Sequence, residues 1–392
     1  MVKDPKRFRN ALDHMAQQHK SLFPNGFQGG YEMKDIRYSK RLHMWVRRIH
    51  VAGVTYTIRP SFAMPYMIGF VQDVEKALFL RKFGVPYWAL AYCFGRNAMH
   101  WYRMEAGLGR FSIVGTTIQG PSLLPHHVVA DEKHTWLNGD KVYCATTVAG
   151  GCILGASIAA SAGQEDLEKA YGVFKQEART LNPDYCPKTG NTDGWLPTRN
   201  AWQSIFPGIT LLMCFLHIFI SIRDRSSKKY KETFRTVSEK LWNCYRAQTK
   251  TSFSQRVRRL CEWSAKSGIP EFMIEKIEKL RKNLPCFSAA YDSSGAFRTS
   301  NMLDRLMQRM DRRLFSAQYF HGTLESANLG IRGWALIHNF APFNTRTVAA
   351  KNGLRSPAET LNHFSYHSNW LQNLLISASL GGYRHGPPNP LK

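Results

Sequence analysis

Val128-Val129-Ala130-Asp131-Glu132 is the stretch on which the reading of this chain turns. Its apolar, partly β-branched residues make a short buried strand, and Asp131 closes it. A carboxylate at a strand end says little alone, since such residues commonly sit in turns or cap helices. Its weight comes from two acids downstream. Asp193 lies in Thr192-Asp193-Gly194-Trp195, and Asp304 lies in Arg298-Thr299-Ser300-Asn301-Met302-Leu303-Asp304. Taken singly, the first reads as a turn residue and the second as a solvated helix residue. Taken together and in this order, they are a set of hard oxygen donors suited to Mg²⁺ or Mn²⁺.

The elements around Asp131 set the fold class. Asn138-Gly139 is a type I′ hairpin signal between two strand runs. Strands over 141–147 and 152–158 then complete a three-stranded meander. Glu165 to Leu181 carries Leu167, Ala170, Tyr171, Phe174, Ala178 and Leu181 on one stripe, which predicts an amphipathic helix. A strand is expected before Asp193, made irregular by Pro187 and Gly190, and a short helix over 198–206 follows. Ile205 to Ile222 is apolar but broken by Pro207 and Gly208, so it reads as a helix end, a turn and a buried strand, not a membrane span. Three strands, a helix, a strand, an acid and another strand make the order of a ribonuclease H-like α/β fold with a mixed sheet. Its first part is expected over 121–224. A helical, basic segment over 225–290 interrupts it as an all-α insertion. The core resumes over 291–345, with helices over Met302–Leu314 and 325–345, and 346–392 reads as a tail.

Upstream, residues 1–71 read as an arm and short strands with no chemical assignment. Residues 72–120 predict three short helices separated by Gly84 and Gly95, the pattern of a helix-turn-helix DNA-binding domain. The third of them carries Arg96, Asn97, His100 and Arg103 near one face, as a recognition helix would. A small bundle with a solvated polar face fits equally well. The net charge of +25 over 392 residues favours a polyanionic partner. Lys228, Lys229, Arg256, Arg258 and Arg259 are candidate phosphate contacts. None of the eight cysteines forms a Cys-x-x-Cys pair, and the first residues are basic without an apolar signal core. Reduced thiols in a cytoplasmic, nucleoid-associated protein are expected.

Thr192-Asp193-Gly194-Trp195, then Cys214-Phe215-Leu216-His217, then the run from Arg298 through Asn301 to Asp304-Arg305 resemble the Mutator-type DDE transposases of bacterial insertion sequences. The resemblance covers roughly residues 120–345. It implies two-metal phosphoryl transfer on double-stranded DNA, with Asp131 bridging two Mg²⁺ (or Mn²⁺) ions and Asp193 and Asp304 holding one each. It also implies binding of terminal inverted repeats by a homo-oligomer, and it makes Cys214, His217, Trp195 and Asn301 marks near the site. The family usually has Glu at the third acid, where this chain has Asp304. Glu325 and Asp311 are the alternatives. Cys214 and His217 fit either a signature beside the site or a satisfied pair inside an apolar strand, and Trp195 fits a base-stacking residue or core. A derivative that binds DNA without catalysis and a nuclease that cuts without joining are the rival functions.

Overall fold

In the computed structural model, which describes residues 1–65, 68–226 and 228–379, the N-terminal segment closes on itself. Helix α1 (Pro5–Gln18) begins at Asp4, whose carboxylate accepts from the N–H groups of Lys6 and Arg7 at 3.0 and 3.1 Å. Strands β1 (Glu32–Ser39), β2 (Met44–Val51) and β3 (Val54–Ile58) pair antiparallel in that order. Phe8, Leu12 and Ala16 of α1 pack with Phe27, Ile49 and Val51. The expected arm is therefore a small α/β module with its own core.

Helices α2 (Val71–Arg81), α3 (Tyr87–Phe94) and α4 (Ala98–Leu108) form where the sequence predicts three helices. They do not make a separate domain. Val74, Ala77, Leu78, Leu90, Trp101, Met104 and Leu108 belong to the same hydrophobic core as the late helices described below. A short helix, α5 (Ile113–Thr117), leads into the central sheet.

That sheet has five strands. They are β4 (His127–Leu137), β5 (Asp140–Ala149), β6 (Cys152–Ala159), β7 (Thr189–Thr192) and β8 (Thr210–Met213). Their spatial order is β6-β5-β4-β7-β8. The first three form an antiparallel meander, and β7 and β8 run parallel to β4. The β4–β5 turn has Asn138 at φ 52° and Gly139 at φ 93°, the left-handed pair a type I′ turn requires. Asp131 does not close its strand. Pairing with β5 carries β4 six residues further, from Asp131↔Thr146 to Leu137↔Asp140. Central β4 therefore spans the sheet, and only its parallel neighbours end near Asp131.

Between β6 and β7 runs α6 (Gln164–Leu181), and α7 (Leu196–Ile205) follows β7. Together they cover one face, where Tyr171, Phe174, Trp202 and Phe206 pack on Val128, Ala130, Ala145 and Leu154. After β8 the chain does not remain extended. It turns into α8 (Phe215–Arg223), so the apolar run through Ile222 is a four-residue strand and then a helix. No helix among the described residues is long and apolar enough to cross a membrane.

The basic segment is all-helical, comprising α9 (Lys231–Tyr245), α10 (Lys250–Lys266), α11 (Glu271–Lys282) and α12 (Leu284–Ser288). Val237, Leu241, Phe253, Val257, Met273 and Ile277 form its core together with Phe215 and Ile218 of α8. The chain then returns as α13 (Asn301–Ser316) and α14 (Leu324–Phe340), which cover the second face of the sheet. Contact between α4 and α14 is backbone-close. A Cβ on Gly333 would lie 2.1 Å from the Glu105 carbonyl oxygen, so only glycine fits.

The segment after 345 does not behave as a tail. It forms α15 (Thr345–Ala350), α16 (Pro357–Asn362) and α17 (Trp370–Ser377). Trp370, Leu371, Leu374 and Leu375 complete the large core. The Gly- and Pro-rich end from 380 lies outside the described residues.

Candidate active site

Strand alternation assigns the acids of β4 to opposite faces. Val129 faces the α13–α14 side and Val128 and Ala130 face the α6–α7 side. Asp131 therefore points toward α13, and Glu132 points toward α6 and α7. The Glu132 carboxylate accepts from the Tyr171 hydroxyl at 2.6 Å and the Thr198 hydroxyl at 2.8 Å.

Asp193 reaches Asp131 through the parallel pairing of β4 with β7. The register His127↔Thr189, Val128↔Gly190, Val129↔Asn191 continues two residues on to set Asp193 beside Asp131. Adjacent strands lie about 4.8 Å apart. Asp193 is held by its own turn, its Oδ1 accepting from the Trp195 N–H at 2.7 Å. Gly194 takes φ 90° and lets the chain leave the strand there.

Asp304 comes from the first turn of α13, which crosses the same face. Two turns along that helix, Asp311 pairs with Lys133 of β4 at 2.8 Å. Lys133 is two residues beyond Asp131 and on the same face, so the helix runs along β4 with Asp304 at the Asp131 level. Of the alternatives, Asp311 is thus already neutralised by Lys133. Exposed Glu325 starts α14, just past the far end of β4, where the Phe320 N–H donates to the Trp136 carbonyl. Six residues of strand separate Asp131 from Leu137, about 20 Å. The geometry places Asp304, not the other two, near Asp131.

The electrostatics carry the same arrangement. Burial, then the neighbouring carboxylate of Asp193 and more weakly that of Asp304, push Asp131 up to about 6 against the pull of His217. Burial also raises Glu132 to about 7, with Asp131 and Asp193 adding to it. Asp304 is raised chiefly by burial, offset by Ser300 and His217. Burial pulls the His217 imidazole down, but Cys214, Asp131 and Asp193 outweigh it and raise it to about 9. His217 is thus held toward its charged form beside these acids, and its buried Nδ1 has no hydrogen-bond partner among the described residues.

Cys214 and His217 do not lie in a strand. Cys214 caps α8, its N–H donating to the Thr192 carbonyl at 2.8 Å, and His217 lies in the first turn of that helix. Cys214 also anchors the third acid. The Ser300 N–H donates to its sulfur at 3.2 Å, the thiol lies 3.2 Å from the Ser300 hydroxyl, and that hydroxyl donates to Asp304 at 3.1 Å. The Asn191 amide holds the preceding Phe297 carbonyl at 2.8 Å. Arg298 donates to the Tyr245 carbonyl at 2.6 Å and lies over the rings of Tyr245 and Tyr291, tying the lead-in of α13 to the helical insertion. The run from Arg298 to Asp304 is therefore a strap between the insertion and the acids. Asn301 is its exposed first helical residue. Trp195 is no core residue: it is 37% exposed, 6.5 Å from Tyr143.

The chain matches no protein-family model. No curated protein matches it in sequence.

The donor set of the three acids, all carboxylate oxygen, fits a hard divalent cation, and the pressure on Asp131 is what such an ion would relieve. The cage is not closed as the side chains stand. Among the described residues no three of His, Cys, Asp and Glu are grouped to hold a metal. Asp193 and Asp304 are each turned into a local hydrogen bond, to Trp195 and Ser300.

The expected DNA contacts divide. Arg96 and Arg103 are exposed, and His100 is half-buried. Asn97 is the helix cap of α4, accepting from the His100 N–H at 2.8 Å, and has a structural task instead of a base-reading one. In the insertion, Arg259 and Lys229 are exposed. Arg258 pairs with Glu262 at 3.4 Å, and Arg256 donates to the Asn243 carbonyl at 2.7 Å. The side chain of Lys228 lies outside the described residues. Sequence reasoning missed Glu132 and Ser300. Glu132 was signalled only by its place beside Asp131, and Ser300 only by its place inside the strap.

Proposed function

We propose that this chain is a DNA transposase that cuts a DNA strand and joins the exposed 3′-hydroxyl to target DNA. The observation that carries the reading is the placement on one side of the sheet of Asp131 on the central strand, Asp193 leaving the neighbouring parallel strand and Asp304 on the helix across that face, with the carboxylates of Asp193 and Asp304 raising that of Asp131. A mixed five-stranded sheet with an all-helical insertion ahead of the acid-bearing helix supports the ribonuclease H-like assignment. The exposed arginines and the charge of +25 support double-stranded DNA as partner. The same reading makes the working form a homo-oligomer, since two ends of one element are joined, and places it at the nucleoid of a cytoplasm.

In this reading Asp131, Asp193 and Asp304 would hold two Mg²⁺ or Mn²⁺ ions. When bound, such ions supply an activated oxygen nucleophile and charge relief for the departing one. The residues of this chain bind and orient. Strand β4 fixes Asp131 between its two partners. The Cys214–Ser300 pair fixes where Asp304 begins its helix. His217 supplies positive charge beside Asp131 and Asp193. In the first reaction water attacks phosphorus and the bond to the 3′-oxygen breaks, leaving a 3′-hydroxyl. In the second that hydroxyl attacks a target phosphodiester and displaces another 3′-oxygen. One phosphodiester forms for each one broken, so joining needs no external energy source and no covalent enzyme intermediate.

The open cage favours a second reading, a derivative that binds DNA without catalysis. One experiment separates these readings. The full chain is incubated in Mg²⁺ with pre-cut DNA from the ends flanking its gene and a target plasmid. Joined product that disappears in Asp131→Asn and Asp193→Asn supports the transposase. Cutting of intact ends supplied in a parallel reaction, without joining of the pre-cut ends, makes the protein a nuclease. DNA binding without either reaction makes it the inactive derivative.

A further inference from the structure

Helix α3 packs Tyr87, Leu90 and Ala91 on the core but turns its remaining aromatic residues outward. Its sequence, Tyr-Trp-Ala-Leu-Ala-Tyr-Cys-Phe, carries no charge, yet Leu90 is its only buried residue. Trp88 is 70% and Tyr92 88% exposed, and four-residue spacing sets them on one face. Neither ring packs on another ring among the described residues. Phe83 before the helix and Met99 after it are also more than half exposed. The next helix behaves normally, turning Trp101, Met104 and Leu108 inward. Exposed apolar surface gathered in this way marks a contact face.

Charge says what the face contacts. Between residues 76 and 130 the only acid is Glu105. It is fully buried, paired with Arg81 and Arg313. Burial pushes its carboxyl up, but those two guanidinium groups outweigh it and hold it below the ordinary range. The surface of α3 and α4 therefore shows Arg96 and Arg103 and no negative charge. Two copies of this face would oppose like charges, whereas a polyanion complements it. Aromatic rings gain from nucleic acid by stacking on base faces, which an intact duplex hides.

We propose that α3, the turn after it and the second turn of α4 bind unpaired DNA, with Trp88 and Tyr92 stacking on bases and Arg96 and Arg103 against phosphates. The inference rests on the DNA reading above and not on catalysis. It makes α3, not α4, the helix that meets the bases, because α4 spends its apolar face and Asn97 on the fold and offers only Arg103 to the phosphates.

The test uses the full chain and fluorescently labelled oligothymidylate, with duplex DNA of the same length for comparison. The pair Trp88→Ala and Tyr92→Ala should weaken oligothymidylate binding at least about tenfold, while Trp88→Phe with Tyr92→Phe stays within about threefold. Duplex binding should change little in either. Unchanged oligothymidylate affinity in the alanine protein overturns the proposal. So does a fall in oligomeric state by sedimentation with DNA binding intact, which makes the face a contact between copies. Loss of binding to phosphatidylserine vesicles instead of DNA overturns it in favour of a membrane surface. A wild-type protein that binds through α3 yet neither cuts nor joins DNA removes the catalytic reading and leaves this one standing.

Discussion

Asp131 is the residue at which the account is most exposed. Its folded value of about 6 lies above its ordinary 3.8 because it is buried beside other carboxylates. A raised acid is harmless to stability below its unfolded value, and its cost grows as pH rises through the folded value. Above pH 6 the metal-free protein thus carries a penalty of up to about 3 kcal/mol at this one position. Asp131→Asn should raise the melting temperature of the metal-free protein at pH 7 and have little effect at pH 4, as thermal unfolding at the two pH values will show. His217 has the opposite sense. Raised to about 9, it contributes stability below its ordinary 6.5 that fades as pH rises through 9. The Cys214–Ser300–Asp304 chain gives a second prediction at this scale. Cys214→Ala and Ser300→Ala should each weaken Mn²⁺ binding several-fold, and the double variant should be no worse than the weaker single. Full additivity in that cycle contradicts the relay. These residues were unevenly legible. The three acids could be chosen from order and turn chemistry, but nothing in one dimension tells Asp304 from Asp311. That choice is made by Lys133, which takes Asp311, and by the direction in which α13 crosses β4.

Among the elements, the strap from Arg298 to Asp304 has the clearest consequence. Arg298 binds the Tyr245 carbonyl and lies between aromatic rings of the insertion. Arg298→Ala should destabilise the protein by about 2 kcal/mol, and lysine should not rescue it, because an ammonium lacks the flat stacking face. Thermal unfolding of the two variants reads this directly. Element existence was largely legible here. The meander, the Asn138-Gly139 turn, α6 and the helical insertion follow from periodicity and turn residues. What failed was extent and partnership. Asp131 looks terminal because the apolar run stops there, yet β5 extends β4 to Leu137. Ile205 to Ile222 reads as a helix end, a turn and a buried strand, with no second helix, because buried helices and buried strands are equally apolar. The three helices over 71–108 were legible as helices, but their burial under α13 and α14 depends on Gly109 and Gly333, whose close contacts are set by residues far apart in the chain.

For the whole molecule, one core joins the early helices, the sheet and the last helices, while the N-terminal module and the insertion keep cores of their own. The acids thus sit where the insertion, the sheet and α13 meet. A charge of +25 predicts binding dominated by phosphate contacts. Affinity for duplex DNA should fall by roughly a thousandfold between about 50 and 200 mM salt, as filter binding across that range will measure. A flat salt response would remove the electrostatic half of the account. The central claim is that Asp131, Asp193 and Asp304 act as one metal-holding site. It is tested most directly by titrating Mn²⁺ into the full chain and following free ion by electron paramagnetic resonance. Wild type should take up two ions, and Asp131→Asn should lose both because it removes the shared ligand. Equal uptake by the two proteins would contradict the claim.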